Sequence, residues 1–182
     1  RSPWLGHGPP PSQFLLCIVS FYNPCPQPFE VDSTGKLWYM ESSRARSLDG
    51  PKLYDLHVHT KWSKDSMADP KLVVRVSVKK GLSGIAITDH NHILGAYEAK
   101  RYAPEGFDVI IGEEIKTKQG DVIGLNISER IRPRIDVDEA IDQIREQGGL
   151  VLLPHPFSVF RRRISKSILR IVNKVDLVEV VN

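Results

Sequence analysis

The sequence predicts an α/β fold, and two patterns carry that expectation. From Gly50 onward, short apolar runs alternate with amphipathic stretches, the signature of successive βα units. Histidines and carboxylates then recur at or just past the C-terminal ends of the apolar runs. In an α/β barrel those ends converge on one face, where chemistry is done. The 182 residues are enough for one domain with a sizeable core, and 41% hydrophobic with 26% charged residues is ordinary globular composition.

Lys52–Thr60 reads as the first strand. Asp69-Pro70 is an N-cap followed by proline at the first helical position, and Leu72, Val73, Val76 and Val78 supply an apolar stripe for a helix ending at Gly81. Gly84–Thr88 is a buried strand followed by Asp89-His90-Asn91-His92. A helix over Ile93–Tyr102 stops before Pro104. Asp108–Gly112 is the third strand, running into Glu113-Glu114, and Lys116–Ile127 reads as a hairpin turning at Gln119-Gly120. Val137–Gln147 is an amphipathic helix with Ala140, Ile141 and Ile144 inward, closed by Gly148-Gly149. Leu150–Leu153 is a further buried strand ending in Pro154-His155-Pro156. The basic run Arg161-Arg162-Arg163 precedes a helix over Lys166–Asn173, and the last strand is Asp176–Val181.

Residues 1–50 are set apart from the domain at 51–182. Pro9-Pro10-Pro11, Pro24, Pro26 and Pro28 break any helix, so this segment is expected to be a disordered or artefactual extension, with Met40 a candidate initiator. Its apolar run Phe14–Phe21 resembles the core of a signal peptide but is too short to span a bilayer. Both cysteines, Cys17 and Cys25, lie in this segment, and the cysteine-free remainder reads as cytoplasmic with no membrane partner. A net charge of +3 and a pI near 8.9 permit an anionic substrate. No basic stripe or aromatic ladder marks sequence-specific nucleic-acid recognition, so nucleic acid enters only as a substrate.

Tyr54–Thr60 is the chemical centre of the pattern. Leu56 and Val58 alternate with His57 and His59, which sends both imidazoles from one face of a strand, roughly 6–7 Å apart at Cα. Two neutral imidazoles suit zinc, manganese or iron. Taken singly, such histidines are as well read as surface or capped core residues. His57, His59, His90, Glu114 and His155, recurring at one predicted edge, read together as a metal-ligand set.

The run Asp55–Thr60, Ser63 with Asp65, Ile87-Thr88-Asp89-His90, Gly112–Ile115, His155-Pro156-Phe157 and Val178–Asn182 resembles, in order, the motifs of the PHP family. That family, named for polymerase and histidinol phosphatase, consists of metal-dependent phosphoesterases. The resemblance covers about residues 53–182. It implies a distorted (β/α)7 barrel with up to three divalent ions (Zn, Mn or Fe) at the strand C-termini. By motif, His57 and His59 hold the first metal, Asp65 and His90 the second, while Glu114 bridges the first to a third bound by His155. By the resemblance Glu114 is preferred to Glu113 because it holds the position two after Gly112, and alternation turns only one of the pair inward. Where many members carry another histidine this chain has Asp121, either a replacement oxygen ligand or a turn aspartate. The family's closing Asp-x-His motif has no counterpart before Asn182, so the barrel is expected to be incomplete at its C-terminus, with apolar surface left on the last strand.

Clustered cations suit phosphoester hydrolysis because they activate water and neutralise charge on the phosphoryl group. Arg161, Arg162 or Arg163 would clamp a phosphate, or simply form a solvated helix entry. Lys61 and His92 are further substrate-binding candidates, and Asp89 is expected to orient a ligand or cap a helix. The expected function is hydrolysis of a phosphate ester in a small metabolite, nucleotide or short oligonucleotide. The alternatives are a PHP-like non-catalytic subunit of an RNA-processing or polymerase assembly, and hydrolysis of a non-phosphate ester or amide. Neither substrate identity nor oligomeric state is legible.

Overall fold

Six strands line up in chain order in one sheet: β3 (Tyr54–Val58), β4 (Gly84–Ile87), β5 (Asp108–Lys116), β6 (Asp121–Leu125), β7 (Leu150–Leu153) and β8 (Leu177–Val178). The computed structural model describes residues 52–156 and 171–179. It also describes the backbone of a two-stranded antiparallel sheet, β1 (Phe29–Val31) and β2 (Leu37–Tyr39), within the proline-rich segment. The arginine run at 161–163 and the helix expected over residues 166–173 lie wholly or mostly outside the described residues. Of that helix only a 3-10 turn at Val172–Lys174 is seen.

β3, β4 and β5 are parallel, as strands joined by helical crossovers must be. β5, β6 and β7 are antiparallel, and β8 returns parallel to β7. The mixed sheet has its cause in β5. Residues 108–111 pair with β4, and Gly112–Lys116 pair with β6. One long strand therefore replaces the expected break at Gly112. The hairpin turns between Lys116 and Asp121, where the Thr117 hydroxyl donates to the Gly120 carbonyl.

The sheet is curled rather than flat. Five strand spacings would put β3 and β8 roughly 24 Å apart in a flat sheet. Instead Leu56 of β3, Ala86, Ile123, Leu125 and Leu152 share one buried cluster, against which Leu177 of β8 packs. The result is an α/β half-barrel whose inner face is apolar until the strands end. β3 and β8, the two edge strands, are not paired with each other.

Among the described residues, three helices cover the outer face. α1 (Pro70–Lys79) starts at Asp69, whose carboxylate accepts from the Lys71 N–H, with Pro70 in the first turn. α2 is Leu94–Lys100, and α3 (Val137–Glu146) is capped by Asp136, which accepts from the Asp138 N–H. α3 closes the larger core with Ile115, Val122, Ile141, Ile144, Val151 and Leu153. α1 and α2 cover Val58, Ile85, Ile87 and Val109. The apolar stripe expected on α1 is corrected by the structure. Leu72, Val76 and Val78 are exposed, and the buried face is Pro70, Val74 and Ser77, the i, i+4, i+7 row that faces the sheet.

Candidate metal centre

The strand ends assemble a cluster around Glu114. His57 lies in β3, and His59 follows where β3 ends. His90 is brought alongside by an isolated parallel bridge to Glu114 that continues the β4–β5 pairing past Ile87. The Asn91 N–H donates to the Glu114 carbonyl and locks that bridge. Alternation along β5 turns Glu114 inward, while Glu113 faces the other way, accepts from the Ile131 N–H and lies 3.9 Å from Arg130. His155 follows β7 in a left-handed backbone conformation, φ 32°.

The distances are those of one coordination centre. Glu114 Oε2 lies 3.2 Å from His57 Nε2, 3.0 Å from His59 Nε2 and 3.4 Å from His90 Nδ1. Glu114 Oε1 lies 3.2 Å from His155 Nε2. The Nε2 atoms of His57 and His59 are 3.1 Å apart. Two imidazole nitrogens and a carboxylate oxygen at such spacings repel unless a cation, either protons or a metal, lies among them. Donors about 2.0–2.1 Å from a tetrahedral cation stand roughly 3.3 Å from each other, so the donor set fits a divalent metal. Two overlapping groups of three result: His57, Glu114 and His155, and His59, His90 and Glu114, each with ligand atoms within 4.8 Å of one another.

Asp65, half-exposed at the rim, sits 2.9 Å from His59 Nδ1 and 3.4 Å from His90 Nε2. Asp121 is buried at the start of β6, opposite Lys116 and on the Glu114 face of the hairpin, but belongs to neither group of three. Lys61 is engaged by Asp69 and Glu98 at 3.0 and 2.9 Å. His92 packs against the Trp62 ring, 5.2 Å between centroids. Arg161 and Arg162 lie outside the described residues. Asp89 accepts from both the N–H and the hydroxyl of Thr60, tying the end of β4 to the residue after His59. It does not cap α2, which has no side-chain cap. The Ser63 hydroxyl accepts from the His90 N–H, fixing the loop between Thr60 and Asp65 to the second strand end.

Charge balance follows from this packing. Burial alone would push the His57 imidazole down, but Glu114 and Glu179 raise it to about 10. Burial would raise Glu114; its contacts with His155, His57 and His59 instead hold it well below the usual carboxylate range. Asp55, desolvated beneath His57, is pushed up to about 7, with one oxygen accepting from the His57 N–H. The sequence reading gave no role to Glu179. It is buried just past β8, with both carboxylate oxygens 3.2 Å from His57 Nδ1. Its sequence signals are a charge in an otherwise apolar run, Val178–Val181, and a place inside the last matching family motif, Val178–Asn182.

The half-barrel carries at its strand ends a histidine–carboxylate cluster whose donors fit divalent metal. The PHP domain profile matches residues 55–170, and the chain belongs to that family. An uncharacterized protein of Methanocaldococcus jannaschii, MJ1587, is 40% identical over 139 residues, which is 70% of this chain and 80% of that one. A 5'-3' exoribonuclease of Haemophilus influenzae is 38% identical over 80 residues, covering 41% of this chain and 29% of its own length. Among solved structures, a two-domain protein from Bacteroides vulgatus, described as containing a predicted PHP-like metal-dependent phosphoesterase, superposes with a TM-score of 0.62 at 19% identity. That match covers 77% of this chain and 49% of the other, and it reports on the fold alone. Among the described residues no helix is long and apolar enough to cross a membrane.

Proposed function

We propose that this chain is a metal-dependent phosphoesterase that hydrolyses a phosphate ester in a small phosphorylated metabolite, a nucleotide or a short oligonucleotide. The observation that carries the proposal is the convergence of His57, His59, His90 and His155 on the two oxygens of Glu114. Divalent cations held there supply Lewis acidity toward a phosphoryl oxygen and lower the pKa of water. The chain's own residues do the rest. Glu114 Oε2 faces His57, His59 and His90 and Oε1 faces His155, and the carboxylate is common to both ligand groups. Asp65 and His90, more exposed than the others, form the rim where a phosphate would enter. Arg161 and Arg162, seven residues or fewer past His155 in sequence, are the proposed phosphate contacts.

Family membership and the partial likeness to an exoribonuclease support a phosphoester substrate. A non-catalytic subunit would be expected to have lost ligands, and the presence of His57, His59, His90, Glu114 and His155 within reach of one another, with Asp65 beside His59 and His90, supports the enzyme instead. The test is hydrolysis of a panel of phosphomonoesters, nucleotides and short oligonucleotides by protein loaded with manganese or zinc. Turnover on at least one class, abolished by chelation and by His90→Ala, is expected. A metal-loaded protein inert on the whole panel would favour the non-catalytic subunit.

A further inference from the structure

We propose that Glu179 is a positioning residue for the metal centre, which sets the tautomer of His57 and anchors the backbone of His155 from across the seam of the half-barrel. The inference rests on the reading of His57, Glu114 and His155 as metal ligands. Glu179 is 1% exposed. A carboxylate buried to that degree needs partners, since an isolated charge there would be costly. Two of its partners belong to the centre. His57 Nδ1 is 3.2 Å from each oxygen, and the His155 N–H donates to Oε2. Glu179 is itself held by its own N–H, which donates to the Leu153 carbonyl of β7.

The chemistry follows from counting donors and acceptors. A neutral imidazole has one N–H and one lone pair. With Nδ1–H directed into the Glu179 carboxylate, Nε2 carries the lone pair, and Nε2 is the atom 3.2 Å from Glu114. A carboxylate on the remote ring nitrogen also raises the basicity of the ligating one. The second contact acts on the backbone. His155 holds φ at 32°, a region that non-glycine residues seldom occupy, and its N–H is the group that Glu179 retains. A glutamine at 179 carries no charge, and with its oxygen at the Oε2 position, where it could accept from both groups, its amide N–H2 takes the place of Oε1, 3.2 Å from Nδ1, and opposes the Nδ1–H tautomer.

The test is zinc affinity, measured by competition with a chelator on the full chain, for wild type, Glu179→Gln and Glu179→Ala, alongside circular dichroism and thermal melts. Both variants are expected to keep the wild-type spectrum and bind zinc about 10–100-fold more weakly. Imidazole nitrogen NMR of the zinc-loaded wild type should find the His57 proton on Nδ1. Affinity for Glu179→Gln within about twofold of wild type, or a proton on His57 Nε2, would overturn the proposal. Should neither variant fold, the wild-type spectrum decides by the same criterion. Wild type that binds no zinc would remove the metal reading as well. Tight wild-type binding matched by the variants would remove only the role of Glu179.

Discussion

Glu114 is the residue on which the centre depends, because it alone among the described residues belongs to both ligand groups. The expected metal titration is therefore asymmetric. His155→Ala should weaken the group it shares with His57, His90→Ala the group it shares with His59, and Glu114→Gln both. Metal content by elemental analysis after a defined chelator wash measures this, and equal loss in all three variants would contradict two overlapping groups. His57 gives a pH dependence whose sign is fixed. Its pKa is raised from 6.5 to about 10 in the metal-free protein. The charged ring's stabilising contribution is fully present below pH 6.5 and is lost as pH rises through about 10. The metal-free melting temperature should therefore fall between pH 7 and 10, while zinc affinity rises because binding displaces that proton. A flat melting profile across that range in the metal-free protein would contradict the His57 assignment. The HxH pair was legible from a period of two, which also turns only one of Glu113 and Glu114 inward; the choice of Glu114 rested on its place two after Gly112 in the family resemblance. Which histidine meets which carboxylate was not legible. Glu179 and His57 are separated by 122 positions in sequence, and only the curl of the sheet joins them.

At the scale of elements, caps were easier to read than faces. Asp69-Pro70 acts locally, so the start of α1 could be placed to the residue, whereas α3 was placed by its apolar periodicity and its Asp136 cap is seen in the structure. The buried face of α1 could not, because Leu72, Val73, Val74, Val76 and Val78 offer more than one apolar row and the crossover geometry selects among them. Substitutions separate the two readings. Ile144→Ala, fully buried between α3 and the sheet, should cost about 2–5 kcal/mol in urea denaturation. Leu72→Ala, on the exposed side of α1, should change stability by no more than about 0.5 kcal/mol. A large loss at Leu72 would restore the stripe expected from sequence. α2 carries a separate constraint. A Cβ at Gly95 would collide with Asp89 Oδ2 and the Thr60 hydroxyl, the pair that joins the ends of β3 and β4. Gly95→Ala should therefore lower the melting temperature and loosen metal retention together.

At the scale of the whole molecule, the α/β class follows from alternating patterns and the antiparallel hairpin from its turn at Gln119-Gly120, but the long strand that serves both halves of the sheet does not. β5 changes partner and direction of pairing halfway along, from β4 to β6, and no residue in Asp108–Lys116 announces it. That change brings Glu114 to the end of the parallel half while the antiparallel half leads on to β7 and His155. The curled sheet then sets the edge strands face to face at the cluster, so metal binding and closure of the half-barrel are expected to be coupled. A ligand that binds only the folded state stabilises it by mass action, so chelation should lower the melting temperature and zinc should restore it. The central claim is that Glu114 organises a divalent metal centre, and anomalous diffraction from crystals soaked in zinc or manganese tests it most directly. The account predicts anomalous peaks within bonding distance of Glu114, one beside His57 and His155 and one beside His59 and His90. Metal that binds elsewhere on the protein, with no peak at Glu114, would contradict it.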